Sequence, residues 1–208
     1  MKKIKKVKLD ELNVIPIIDL CKSDLKYLEH INNHRKTLFQ AFMSMDNKLF
    51  DLYEFIIYKD KLRDRITGHD LGKFYYPNVF AAYRYKYYPN ILDPFTKEQV
   101  DEWYNIANQY HKTNNRHHFE CSAAECVANG NIDENGYTKK MSVLDTLEML
   151  CDWETFNIRE PETGNTLDWW NANKDKINED YPNLLDNELI DKVLAKMYSA
   201  GGYLIGGE

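Results

Sequence analysis

Six histidines and a handful of carboxylates carry the chemistry this chain could perform. Histidine is the commonest metal ligand and the usual carrier of protons near neutral pH. His34 falls on a helical stripe with Tyr27, Ile31, Leu38 and Ala41, a face that should point inward. Taken singly, it reads as a core histidine satisfied by a hydrogen bond, and His30, one turn earlier, could stand in for it. His69 directly precedes Asp70. Adjacent helical residues diverge by about 100°, so one ion reaches both only from between their side chains. Lys73 lies on the same side of the chain as the pair and would suit a phosphate resting on the metal. The plain alternative is a turn aspartate that caps a helix, with an exposed lysine after it.

His111, Arg116, His117 and His118 crowd into one short segment. His111 and His118 share a face only if the helix continues through Asn114-Asn115. Otherwise the segment is polar surface. Asp145, Glu148 and Asp152 form an acidic stripe beside Leu144, Leu147 and Cys151. Asp145 reads as a cap. Asp152 has Met149, Leu150, Cys151 and Trp153 as sequence neighbours, and a carboxylate buried there needs a metal, a cation or an N–H donor as partner.

The combination says more than any member. His34, His69, Asp70 and Asp152 converging on one ion would offer nitrogen and oxygen but no thiolate. Such a set favours Mn²⁺, Fe²⁺, Co²⁺, Ni²⁺ or Mg²⁺ over structural zinc, and one ion rather than two.

These residues need helices to hold them, and helical signals recur with little strand-like alternation. Ser23 can cap a helix to about Met45. A second spans roughly Asn47 to Arg65, with Leu49, Tyr53, Ile56 and Ile57 inward. Pro77 opens a third to about Tyr88, before Pro89. Thr96 and Gln99 form a capping box ahead of Trp103, Ile106 and Tyr110. Helices follow from His117 to Ala128, from Ser142 past Cys151, and over roughly 168–178 and 186–199. Residues 130–140 and Pro161–Asn165 read as loops, and the glycines after 200 as a loose tail. The expected fold is all-α, a single domain over 1–208 with about seven or eight helices. Its core covers about 23–170, residues 1–20 form an extension, and 171–208 hold C-terminal helices and the tail.

A net charge of −6 gives no general attraction to nucleic acid or an anionic membrane. Cys21, Cys121, Cys126 and Cys151 form no CxxC pair and read as reduced, mostly buried thiols. The basic start lacks the apolar run and cleavage site of a signal peptide, and no stretch approaches about 20 apolar residues. The expectation is a cytoplasmic protein. The oligomeric state is not legible.

The order of these pieces resembles the HD-domain superfamily of metal-dependent phosphohydrolases. The resemblance lies in His34 within "HRKTLFQAF", His69-Asp70 within "GHDLGKF", and Asp152 within "LEMLCDW", and covers roughly residues 25–170. With "HKTNNRHHFE", the order of the pieces also resembles a small uncharacterised branch of that superfamily found in bacteria and phages. It implies an HD-domain-like helical bundle and hydrolysis of a phosphate ester, often a nucleotide. It also implies His34, His69, Asp70 and Asp152 as metal ligands, Lys73 on phosphate, and His111, His117 and His118 as holders of a possible second metal.

The expected reaction is metal-assisted hydrolysis of a small-molecule phosphate. Lys73, Arg116 and His117 would contact the substrate, and His111 or Glu148 would protonate the leaving oxygen. Tyr75, Tyr76, Tyr83, Tyr85, Tyr87 and Tyr88, mixed with Arg84 and Lys86, offer either base stacking or packing. Two other readings stand beside this one: a di-iron oxygenase of the same superfamily, and a non-catalytic binding module stabilised by its metal.

Overall fold

The computed structural model describes residues 1, 4–17 and 22–199. Cys21 and the glycine tail lie outside them. A short 3-10 helix, Leu9–Val14, leads into α1 (Lys22–Leu49), α2 (Tyr53–Ile56), α3 (Lys59–Gly68), α4 (Gly72–Tyr75), α5 (Pro77–Tyr87) and α6 (Lys97–Asn114). Then come α7 (Phe119–Ala128), the strands β1 (Ile132–Asp133) and β2 (Gly136–Tyr137), α8 (Val143–Arg159), a 3-10 turn at Pro161–Thr163, α9 (Thr166–Asp180) and α10 (Asn187–Tyr198). The chain is all-α, as expected, and eight of these helices have ten residues or more.

The spine is α1 packed against α8 and α3. Leu38, Ala41, Phe42, Met45 and Leu49 bury one stripe of α1 against Leu147, Leu150 and Cys151 of α8. Leu62 and Ile66 of α3, Trp170 of α9 and Val193 of α10 close the same core. A second cluster joins Tyr27 and Ile31 of α1 to Val79, Ala82 and Tyr83 of α5 and Ala107 of α6. The site lies where these two cores meet along α1. Truncating a fully buried leucine such as Leu147 to alanine would cost roughly 2–5 kcal/mol.

Local chemistry explains several boundaries. Thr96 and Gln99 exchange both capping-box bonds. Ser142 accepts from the Asp145 N–H at 3.2 Å and starts α8. Pro77 stands in the first turn of α5.

Other expectations need correction. Ser23 lies within α1 rather than at its cap. The second helix does not run unbroken from Asn47 to Arg65: α1 continues to Leu49, and the chain then folds into two separate helices. Ile56 and Ile57 are exposed, and Phe55, Leu62 and Ile66 take the inward positions. Each short helix turns its own face inward, so the periodicity of one long helix does not carry through.

Residues 130–140 are no featureless loop. β1 and β2 pair antiparallel, Ile132 with Tyr137 and Asp133 with Gly136. Gly136 has φ 125°, and a Cβ there would lie 2.6 Å from the Pro182 carbonyl oxygen, so only glycine fits. No described helix is long and apolar enough to cross a membrane.

Candidate metal centre

α3 stops at Gly68, and the next two residues leave the helix. His69 is extended, with φ −59° and ψ 136°, and Asp70 is left-handed, with φ 58°. The Asp70 carbonyl then accepts from the Lys73 N–H at 2.8 Å as α4 begins. This break turns two adjacent side chains toward one point, which a continuous helix would spread apart. Left-handed backbone at a non-glycine residue costs on the order of 1–2 kcal/mol, a strain typical of functional positions.

The expected ligands meet there. His34 Nε2 of α1 lies 3.5 Å from Asp70 Oδ2 and 3.2 Å from Asp152 Oδ1 of α8. His69 Nε2 lies 3.6 Å from Asp70 Oδ1 and 3.6 Å from Asp152 Oδ1. His30 turns to Tyr88, its Nδ1 3.0 Å from that hydroxyl, so of the two histidines of α1 it is His34 that approaches the carboxylates.

His111 Nε2 and His117 Nε2 approach Asp70 Oδ1 at 3.2 and 3.7 Å. The helix breaks at Asn114-Asn115, and the turn that follows, rather than a shared helical face, brings the three histidines together. Donor atoms of His111, His117 and His118 lie within 4.8 Å of one another.

A buried polar atom without a partner is costly, and four cluster here: His69 Nε2, Asp70 Oδ1, His117 Nε2 and His118 Nε2. Imidazole nitrogens and carboxylate oxygens directed at one volume are the donor set of a divalent cation, whose binding would displace the proton that His69 otherwise holds. The residues present fit such an ion.

Glu148 fixes the donors from behind. Its Oε1 lies 3.1 Å from His69 Nδ1 and 3.5 Å from His117 Nδ1, while Arg65 NH1 reaches Oε2 at 3.3 Å. A carboxylate on Nδ1–H leaves the Nε2 lone pair facing the centre. Glu148 therefore stands behind the two imidazoles and does not line the cleft in which a proton donor was expected.

Electrostatics follow the geometry. Burial pushes the His69 pKa down, but Asp70, Asp152 and Glu148 outweigh it and raise it to about 10. Burial opposes the charged form of Asp70, yet Lys73 and the surrounding histidines hold it well below the carboxylate range. Asp152 is held low likewise, by hydrogen bonds to His34 and His69. Burial, with Lys73 and neighbouring imidazoles, keeps His111 and His118 neutral.

The centre opens into a cleft of about 570 Å³ lined by His34, Asp70, Lys73, His111, His118 and Asp152. Lys73 Nζ donates to Asp70 Oδ2 at 2.6 Å and lies 5.2 Å from the centre of the Tyr83 ring. The Asn115 amide donates to His111 Nδ1 at 2.9 Å, which places the imidazole proton on Nε2.

Two expectations change, and for Arg84 the choice between stacking and packing resolves to packing. Arg116 is more than half exposed and reaches Asp145 at 3.4 Å, outside the cleft. His117 is buried beside Glu148 and lines no part of the cleft. Arg84 is buried between Asp24 and Asp93 with its guanidinium over Tyr85, a packing role. Of the tyrosines, Tyr83 and Tyr87 reach the cleft, Tyr85 donates to the Pro16 carbonyl, and Tyr75 and Tyr76 line a different hollow.

The sequence reading missed Arg65, Lys112 and Arg159. Arg65 was detectable one helical turn before His69, and Arg159 two turns after Asp152 on the same face.

No curated protein and no solved structure matches the chain. One family model does match, over residues 23–192, which include every residue of the centre, and the chain belongs to that family, a family of unknown function (DUF5662).

Proposed function

We propose that the protein is a metal-dependent phosphohydrolase acting on a phosphate ester. The observation that carries this reading is the convergence of His34, His69, Asp70 and Asp152 at the floor of an open cleft with Lys73 in its wall. A divalent ion on those four residues would supply Lewis acidity toward a water nucleophile and a phosphoryl oxygen.

The chain's own groups account for the rest. Lys73 neutralises charge on the phosphoryl oxygens, and Arg159 and Lys112, which also line the cleft, take over the role expected of Arg116. His111 presents an N–H beside Asp70 at the cleft wall, where it can donate to the leaving oxygen. Glu148 keeps His69 and His117 in one tautomer throughout.

Phosphate release from nucleotides and sugar phosphates, with Mn²⁺ or Co²⁺ added, tests the assignment. Turnover is expected in the wild type and falls to background in His69→Ala and Asp152→Ala. A folded, metal-loaded protein that hydrolyses none of the mono-, di- or cyclic nucleotides or sugar phosphates overturns it.

One observation favours a second reading. The nitrogens of His111, His117 and His118 lie within 4.8 Å of one another beside Asp70, room that would suit a second ion and a di-iron oxygenase. Two irons per chain with a visible absorption band would select it.

A further inference from the structure

The cleft continues into a second chamber of a different character. This chamber holds about 450 Å³ and shares Trp153, Phe156, Glu160 and Trp169 with the metal cleft. Its remaining lining comes from Asn157 and residues 164–166, and no cation is among the described residues that line it. Lys73, Lys112 and Arg159 line the metal cleft and not this chamber, with Arg159 beside Phe156 at the border the two share. A phosphate is drawn to the metal side, and the uncharged remainder of an ester would extend into the chamber.

The walls there are flat and aromatic. Phe156 and Trp169 are 56% and 45% exposed, unusual for rings of that size, although neither lies at a chain terminus or loop tip. The Trp153 and Trp169 rings are 4.7 Å apart at 60°, and the Arg159 guanidinium lies 5.1 Å from the centre of Phe156. Asn157 and Asn165 also line the chamber; Asn157 Nδ2 donates to Glu154 and Asn165 Oδ1 caps α9, so each amide has its other end left to face a ligand. Faces that stack, with amides beside them, suit a planar heteroaromatic ring with polar edges. An alkyl chain would leave the amides facing hydrocarbon.

Spacing supports the pairing. Phe156 follows Asp152 by four residues on one face of α8, so its ring stands about 6 Å along the helix axis from that carboxylate. That is about one turn, on the scale that separates phosphate from ring in a mononucleotide.

We infer that Phe156 and Trp169 form a stacking site for the ring of the substrate, which makes the substrate class nucleobase-bearing phosphate esters. This rests on the hydrolase reading for the phosphate end alone. The tyrosines of α5 are not part of the site.

The test compares hydrolysis of purine and pyrimidine nucleoside monophosphates with that of ribose 5-phosphate, which keeps phosphate and sugar but lacks the ring. It is run on wild type, Trp169→Ala, Phe156→Ala and the conservative Trp169→Phe. The wild type should prefer nucleotides through KM. Each alanine variant should shrink that preference by about tenfold, the usual worth of one stacked base, and Trp169→Phe should restore most of it. A wild type with no preference, or alanine variants that weaken both substrates equally, overturns the inference.

Quenching of tryptophan fluorescence by unphosphorylated nucleosides, measured in chelator, separates the two proposals. Nucleoside binding that Phe156→Ala abolishes supports the stacking site even if no ester turns over. Ester hydrolysis without nucleoside binding or ring preference removes the stacking site and leaves the hydrolase standing.

Discussion

Glu148 determines which nitrogen of His69 faces the centre. It accepts from His69 and His117 and is itself held by Arg65. Replacing the carboxylate with an amide lets the imidazoles turn or change tautomer. Glu148→Gln should therefore weaken Mn²⁺ binding by roughly 10–100-fold in a calorimetric titration, while the fold persists. Unchanged affinity would deny Glu148 this role. The same residue sets a pH dependence. Burial acts to raise its pKa, but His117 and His69 outweigh it and lower it from 4.5 to about 2. A depressed carboxylate contributes stability that is complete above its ordinary pKa and is lost as pH falls toward the folded value. Urea midpoints should thus drop between pH 5 and about pH 2 more steeply in the wild type than in Glu148→Gln. Equal acid limbs would contradict this.

Helix ends supply more of the candidate centre than helix middles. His69-Asp70 sits in the break between α3 and α4, and His117 and His118 in the turn between α6 and α7. Those breaks were only partly legible in the sequence. Asn114-Asn115 announced one of them. The φ of 58° at Asp70 has no sequence signature, since nothing in "TGHDLG" demands that the aspartate rather than a glycine turn left-handed. The split of α2 from α3 was hidden for a similar reason: Ile56 and Ile57 look like core residues and are exposed. Capping chemistry was legible because it is local. Thr96→Ala should cost about 1 kcal/mol of stability in urea denaturation and leave metal binding intact, because α6 presents His111 from its other end. A loss of metal affinity in that variant would show that the start of α6 is coupled to the centre.

Across the whole molecule, α1 and α8 do two jobs. One stripe of each builds the main core, and the next positions along each present His34 and Asp152 to the loop between α3 and α4. The all-α class could be read from periodicity, whereas the meeting of His34, His69, Asp70 and Asp152 was implied by the family resemblance that their order carries. The cleft's rim could not: Arg116 turned to Asp145, Lys112 and Arg159 took the positions facing the cavity, and Phe156 of α8 and Trp169 of α9 joined Tyr83 and Tyr87 of α5 in lining it. Side-chain direction at a rim depends on distant packing partners, which a single sequence does not reveal. An alternative at this scale, a metal kept for stability alone, predicts that His69→Ala unfolds the chain and that the wild type turns over no ester.

The most direct test of the centre is the metal content of purified protein, with wild type, His69→Ala and Asp152→Ala compared after each is shown to be folded by circular dichroism. The account predicts about one first-row divalent ion per wild-type chain, little or none in either variant, and a wild-type melting temperature that falls on chelation and recovers on adding Mn²⁺. A wild type that neither retains nor binds a divalent ion, or variants that bind it as tightly as the wild type, would contradict it.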